Sequence, residues 1–291
     1  MRGRRMSGRL LESSKMSPID LHAHSTASDG LLSPAELVAH ALQRGLYVLA
    51  LTDHDDTGGV EEAMQAAHGT ALTLVPGAEL SASWEAHTIH VVGLHIDPSD
   101  RTLADGLARI REGRDARAHR IAEALEQAGI AGAYAGARRY VTSDRLISRS
   151  HFARFLVERG HAKSTRDVFK RYLTAGKPGY VRHAWASLVD AVSWIHAAGG
   201  QAVLAHPGRY KVTPTGMRRL LGVFREAGGD AIEVFSASHT LAQAEEYARH
   251  ARVFGFAASA GSDYHGPGES PLDLGALPPL PVGLTPVWSR W

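Results

Sequence analysis

The chain has 291 residues, 44% of them hydrophobic, which is enough to bury a full core and fits either one large α/β domain or a domain with an insertion. It contains no cysteine, so disulfide partners and thiolate-bound zinc are excluded, and a reducing compartment, the cytoplasm, is the expected location. Net charge is only +2, and no apolar run approaches the roughly 20 residues needed to span a bilayer, so no membrane partner is expected.

Residues 1–18 hold five basic residues and one acid without an apolar centre, which reads as a disordered basic leader rather than a secretory signal, with Met1, Met6 or Met16 as the start. The run Ile19-Asp20-Leu21-His22-Ala23-His24-Ser25 then predicts a strand. Alternate side chains of a strand share a face, so His22 and His24 can grip one ion, and Asp29 follows in the next loop. A helix over Pro34 to Arg44 leads to a strand over Tyr47 to Leu51, which delivers Thr52-Asp53-His54-Asp55 at its carboxyl end. After a helix over Gly59 to His68, the run Leu72 to Val75 closes at Pro76-Gly77-Ala78-Glu79, and a further strand carries His90.

The pattern changes over 100–180, where no convincing strand occurs and helices are predicted at Leu103 to Gln127, Ser150 to Arg159 and Thr165 to Leu173. This segment has 17 basic residues against nine acidic ones, a basic helical insertion suited to covering an anionic substrate. Alternation resumes over 181–291 with a helix over Leu188 to Ala198 and a strand over Ala202 to Ala205 that ends at His206. A helix over Thr215 to Ala227, a strand over Ala231 to Phe235, a helix over Ala242 to Phe254 and a strand over Ala257 to Ala260 follow. Asp263 and His265 come next, and a Pro-rich tail from Gly275 that ends in Val287-Trp288 predicts an edge segment packing across the barrel. Parallel strands joined by crossover helices, with polar residues gathered at strand ends, predict an α/β barrel in two parts, 19–99 and 181–291, around the insertion.

Six histidines (His22, His24, His54, His90, His206, His265) and three carboxylates (Asp29, Glu79, Asp263) thus recur where strands are expected to stop. Each has an ordinary explanation alone: a lone strand His packs in a core, and an Asp after a strand caps the next helix. Those explanations do not account for a His-x-His and an Asp-x-His pair each ending an apolar segment, so a polynuclear metal centre is expected. Asp53 and Asp55 are candidates to orient the His ligands, and His239 is expected at the surface.

One anomaly stands in the long insertion helix. Leu103, Leu107, Ile110, Ile121 and Leu125 form an apolar stripe that Arg114 and Arg117 interrupt. They either pair with a local acid such as Asp115 or face the metal cleft, where guanidinium groups clamp phosphate. Arg149, His151 and Arg154 in the second insertion helix, and Arg209 three residues after His206, are further phosphate-binding candidates.

The segments Asp20-Leu21-His22-Ala23-His24-Ser25 with Ser28-Asp29-Gly30, Leu51-Thr52-Asp53-His54-Asp55, Pro76-Gly77-Ala78-Glu79, Ala205-His206-Pro207 and Gly261-Ser262-Asp263-Tyr264-His265 resemble the signature of the PHP (polymerase and histidinol phosphatase) superfamily. The resemblance implies a distorted seven-stranded (βα) barrel with a trinuclear site. One ion would be held by His22, His24, Glu79 and Asp263, a second by Asp29, His54 and His265, and a third by Glu79, His90 and His206. Asp29, where some relatives carry His, moves the set toward Mn²⁺, with Fe²⁺ or Zn²⁺ as alternatives. The segments around His90, His151 and Arg209 resemble one branch, the 3′,5′-nucleoside bisphosphate phosphatases and the 5′-to-3′ exoribonuclease that trims rRNA 5′ ends.

The expected activity is therefore a metal-dependent phosphoesterase acting on a phosphorylated nucleotide or an RNA 5′ end, with Arg209, Asp263 and His265 at the reacting phosphate. The alternatives are a phosphomonoesterase of the histidinol-phosphate type and a non-catalytic barrel that binds metal or nucleic acid. Neither oligomeric state nor physiological substrate is written in the sequence.

Overall fold

The computed structural model describes residues 18–143 and 146–291. The basic leader expected over 1–18 lies outside the described residues except for Pro18.

Seven strands form one sheet in the order β1 (Ile19–Ala23), β2 (Val48–Leu51), β3 (Thr73–Trp84), β4 (His87–Leu94), β6 (Gln201–Leu204), β7 (Ala231–Ser236) and β8 (Ala257–Gly261). A two-residue strand β5 (Ala186–Ser187) pairs with β3. The sheet rolls until its ends meet. Asp263 N donates to His22 O and His24 N to Tyr264 O, both at 2.8 Å, and a bridge joins Ala23 to Tyr264. Only glycine allows this approach: a Cβ on Gly261 would stand 2.2 Å from that of His22. The result is a nearly closed barrel.

Leu21, Ala50, Val75, Val92, Val203, Ala231 and Ala257, one from each of the seven strands, form the buried barrel interior. Val287 belongs to the same cluster and is fully buried, with Trp288 packed against it. The tail thus packs across the barrel as expected, at its end rather than along a sheet edge. Its last turn (Val287–Arg290), bridged to β8 through Pro286 and Ala258, plugs the barrel floor beside Ile19 and Val48.

The helices α1 (Pro34–Gln43), α2 (Val60–Ala67), α7 (Leu188–Ala197), α8 (Pro214–Glu226) and α9 (Leu241–Phe254) cover the outside. Their starts follow local chemistry: Ser33 with Glu36 and Thr240 with Gln243 build capping boxes, each satisfying orphan N–H groups.

One expectation needs correction. β4 runs antiparallel to both neighbours, because Trp84 and His87 are separated by only two residues and a hairpin leaves no room for a crossover helix. β3 therefore continues five residues past Glu79, which sits in mid-strand rather than at a strand end, as does His90.

Between β4 and β5 the helices α3 (Arg101–Gln127), α4 (Ala133–Arg138), α5 (Arg149–Glu158) and α6 (Thr165–Val168), the last continuing as a wide π turn, share their own core of Ile121, Leu125, Phe152, Leu156, Val168 and Leu173. Only α4 was absent from the expected helices. α3 is split between two cores: Leu103 and Leu107 pack on the barrel, while Ala118, Ile121 and Leu125 pack in the insertion. Arg114 and Arg117 occupy the joint. Among the described residues, no helix is long and apolar enough to cross a membrane.

Candidate metal centre

The nine expected ligands converge above the barrel interior. His22 is on β1 and His24 just beyond it, Asp29 lies in the following loop, His54 follows β2, Glu79 and His90 ride on β3 and β4, His206 follows β6, and Asp263 and His265 follow β8. Glu79 is the hub. Its Oε2 lies 3.3 Å from His22 Nε2, 3.4 Å from His24 Nε2 and 2.8 Å from His54 Nδ1; its Oε1 lies 2.8 Å from both His90 Nδ1 and His206 Nε2. Asp263 Oδ1 adds contacts to His24 Nε2 at 3.0 Å and His22 Nε2 at 3.4 Å. The shared face expected of His22 and His24 is therefore realised.

Three sets bring donor atoms within 4.8 Å of one another: His22, His24, Glu79 and Asp263; His24, Asp29, His54 and His265; and His54, Glu79 and His90. The first matches the expected set, the second adds His24, and the third draws in His54 where His206 was expected. Fit to cations is visible in the unspent valences. His22 Nε2, His24 Nδ1, Asp29 Oδ1, His54 Nδ1, Glu79 Oε2 and His206 Nδ1 are buried without a well-aligned hydrogen bond, even where His54 Nδ1 and Glu79 Oε2 approach to 2.8 Å, although buried polar atoms are normally paired. Imidazole nitrogens and carboxylate oxygens, with no thiolate, suit borderline to hard divalent ions.

Charge in the cluster is finely divided. Burial works to raise the pKa of each carboxylate, but His90 and His54 hold Glu79, His54 and His265 hold Asp29, and Arg209 and His22 hold Asp263 well below the usual carboxylate range. Burial, with His265 and His54 beside it, lowers His24 to about 3, and burial outweighs Glu79 in taking His90 down to about 4. In His265 burial is overcome by Asp29 and Asp263, which push it up to about 9. Two of the residues, His206 and Asp263, hold φ values of 27° and 55°, a left-handed backbone that non-glycine residues adopt only where surrounding structure enforces it.

The supports for these side chains were only partly foreseen. Glu233 is 1% exposed on β7; its Oε1 lies 2.6 Å from His22 Nδ1, and its Oε2 accepts from His206 N at 2.5 Å. Its signal in the sequence was an acid inside the apolar run Ala231 to Phe235. Asp20 accepts from Ser262 N and His22 N, and burial raises it to about 6. Asp53, expected to orient a histidine, instead accepts from Ser25 N, Ser25 Oγ and Ser28 Oγ and so holds the loop that presents Asp29. Asp55 accepts from Ser81 N and Oγ and from Arg114. His239 is half-buried rather than on the surface: Nδ1 donates to Val234 O, and Nε2 accepts from Gly208 N, bracing the turn that carries Arg209.

The basic candidates separate into three groups. Arg209 reaches the cluster, its guanidinium 2.5 Å from Asp263 Oδ2. Arg114, Arg154 and His151 are engaged within the protein. Arg114 pairs with Asp55 and Ser81 Oγ rather than with nearby Asp115, and Arg154 grips both oxygens of Glu269 and the carbonyl of Asp29. His151 accepts from Ser148 N in the α5 cap, and Ser148 Oγ donates to Asp29 Oδ2 at 2.7 Å. Arg117 and Arg149 flank a small gap beside Ser148 and Trp185.

Comparison with known proteins agrees with this geometry. The PHP domain family matches residues 20–181. The chain is 52% identical to a 3′,5′-nucleoside bisphosphate phosphatase of Chromobacterium violaceum, covering 94% of this chain and 96% of that protein. It is 45% identical to the 5′-3′ exoribonuclease Rnm of Escherichia coli, over 94% of this chain and 93% of that one. Among solved structures, an amidohydrolase from Chromobacterium violaceum with bound sulfate and no metal superposes with a TM-score of 0.91 at 51% identity, covering 94% of this chain and 95% of that one. The family match spans more than half of the chain and full-length relatives extend it across the candidate ligands that follow, so this chain belongs to the PHP-domain family.

Proposed function

We propose that this protein is a metal-dependent phosphoesterase that releases the 3′-phosphate from 3′,5′-bisphosphate nucleotides, hydrolyses short RNA stepwise from its 5′ end, or does both. The convergence of five imidazoles on the two oxygens of Glu79, with unpartnered buried atoms facing one another, carries this reading. The phosphatase and exoribonuclease named above supply the substrate class.

Three divalent ions, Mn²⁺ first and Fe²⁺ or Zn²⁺ as alternatives, would be held by the nine ligands. When bound they supply Lewis acidity toward a phosphoryl oxygen and bring the pKa of water toward neutrality. The protein's own part is positioning. Asp263 Oδ2 anchors one edge of the Arg209 guanidinium, whose side chain stays 40% exposed, leaving its other N–H groups for equatorial phosphoryl oxygens. His265 donates through Nδ1 to Asp263 O at 2.9 Å, which turns Nε2 toward Asp29 Oδ1 at 3.4 Å. Ser148 and Arg154 tie the loop of Asp29 to the insertion, so ligand placement and substrate cover are coupled.

The test is turnover by Mn²⁺-loaded protein of 3′,5′-bisphosphate adenosine, 5′-monophosphorylated RNA, AMP and histidinol phosphate. Preference for one of the first two is expected; preference for histidinol phosphate contradicts the reading.

A further inference from the structure

Between residues 163 and 182 the chain carries six basic residues, Lys163, Arg166, Lys170, Arg171, Lys177 and Arg182, against one acid, Asp167, although its net charge is only +2. All six are exposed. Arg171 is engaged within the protein: it reaches Asp167 at 3.5 Å and donates to His161 O at 2.7 Å. The other five pair with no acid among the described residues. Arg166 in α6 and Lys170 in the π turn that continues it stand four residues apart, where like charges on a helix repel. Lys163 precedes the Ser164 cap of the same helix, and Lys177 lies in the turn that folds back on it through Gly179 N and Tyr172 O at 2.8 Å. Val168 and Leu173 turn inward to the insertion core, so the cations are left on the outer side.

This basic strip has a direction. Phe169, just before Lys170, lies under the guanidinium of Arg149, 5.5 Å from its ring centre, and Arg149 follows Ser148, which donates to Asp29 at 2.7 Å. Lys163 instead lies past the far end of α5, a ten-residue helix roughly 15 Å long. The order Lys170, Arg166, Lys163 therefore leads from the rim of the metal cleft outward over the insertion. At the other end of the segment Val181 O accepts from Arg117 Nε at 3.1 Å, which fixes the chain beside Arg182 to the long insertion helix.

The occupant follows from charge and from where the strip begins. A bisphosphate nucleotide ends inside the cleft. An RNA held by its 5′ end must lead its remaining nucleotides out, and each brings one phosphodiester charge. A row of exposed, unpaired cations that starts at the cleft rim suits such a backbone without reading its sequence.

We propose that Lys163, Arg166, Lys170 and Lys177 form a docking track for the single-stranded RNA downstream of the nucleotide at the metal centre. This rests on the RNA arm of the function proposed above and deepens it, by naming the surface that would separate an RNA from a bisphosphate nucleotide as substrate.

The experiment compares Mn²⁺-loaded wild type with the triple variant Lys163→Gln/Arg166→Gln/Lys170→Gln and with the charge-keeping Lys163→Arg/Arg166→Lys/Lys170→Arg. The substrates are a 5′-phosphorylated RNA oligomer and 3′,5′-bisphosphate adenosine. In the Gln variant kcat/KM for the oligomer should fall about 10-fold at low salt, and its log–log dependence on salt should flatten by about 2, as expected for three lost phosphate contacts. Turnover of the bisphosphate should stay within about twofold, and the charge-keeping variant should match wild type on both. Unchanged turnover of the oligomer, or an equal loss on both substrates, overturns the proposal. So does loss of binding to phosphatidylserine vesicles with RNA turnover intact, which would assign the strip to a membrane surface. If wild type hydrolyses neither substrate, the proposed function fails, and fluorescence anisotropy with the labelled oligomer decides the track alone: equal affinity in wild type and the Gln variant overturns it. Should the triple variant not fold, Lys170→Gln and Arg166→Gln singly carry the test.

Discussion

Glu233 Oε1 lies 2.6 Å from His22 Nδ1, while Glu233 Oε2 accepts the backbone N–H of His206 at 2.5 Å. One buried carboxylate on β7 thereby sets the tautomer of a candidate ligand on β1, leaving Nε2 free for the cluster, and pins the strained backbone of a second at φ 27°.

Glu233→Gln keeps the shape but weakens both bonds, and Glu233→Ala removes them. We expect Mn²⁺ affinity to fall about 10- to 100-fold in the Ala variant and less in Gln. Isothermal titration of metal-free protein measures this; unchanged affinity in Glu233→Ala would show that His22 needs no such support.

Ser148 caps α5 and also donates to Asp29. Ser148→Ala should cost about 1 kcal/mol of stability from the lost cap. It should lower turnover as well, because Asp29 is released. Ser148→Thr, which keeps a hydroxyl, should recover part of both in thermal melts and activity assays. A fall in melting temperature with unaltered turnover would detach the cap from the metal centre.

Metal binding should release protons. Asp29 and Asp263 overcome burial to hold His265 protonated up to about pH 9 in the metal-free protein, and Glu79 and Glu233 overcome burial to raise His22 well above its ordinary value. Each must give up that proton to bind an ion, so Mn²⁺ affinity should decline steadily as pH falls from about 9 toward 6. Titrations at one pH in two buffers of different ionisation enthalpy count the protons; a count of zero contradicts the assignment of His22 and His265 as ligands.

Chelation should destabilise the fold. Asp29, Glu79 and Asp263 are 2%, 0% and 4% exposed, and cations held by them and the surrounding imidazoles bind only the folded state. Melting temperature should rise with Mn²⁺ concentration and return to its starting value with excess chelator. An unaffected melting temperature would mean that the cluster does not hold ions tightly.

Much of this arrangement was legible before any coordinates. His22 and His24 were readable because strand periodicity is local, and their convergence needed only the alternation of β1. Glu79 and His90 were legible as candidate ligands but not as neighbours on an antiparallel pair, since a hairpin signalled only by Glu85-Ala86 looks like any short connection. The partner of Arg114 was out of reach: Asp55 is 59 residues away, and only the joint between two cores brings them together. Glu233 was visible as an acid in an apolar strand, yet nothing local says that its two oxygens serve residues on β1 and after β6.

The most direct measurement of the central claim is phosphate release from 3′,5′-bisphosphate adenosine by Mn²⁺-loaded wild type and Asp263→Ala. Asp263 contacts His22, His24 and Arg209, so its removal takes away a proposed metal ligand and the anchor of the proposed phosphate clamp together. Mn²⁺-dependent turnover in wild type and its loss in folded Asp263→Ala is the predicted result; full Mn²⁺-dependent turnover in the variant would contradict it.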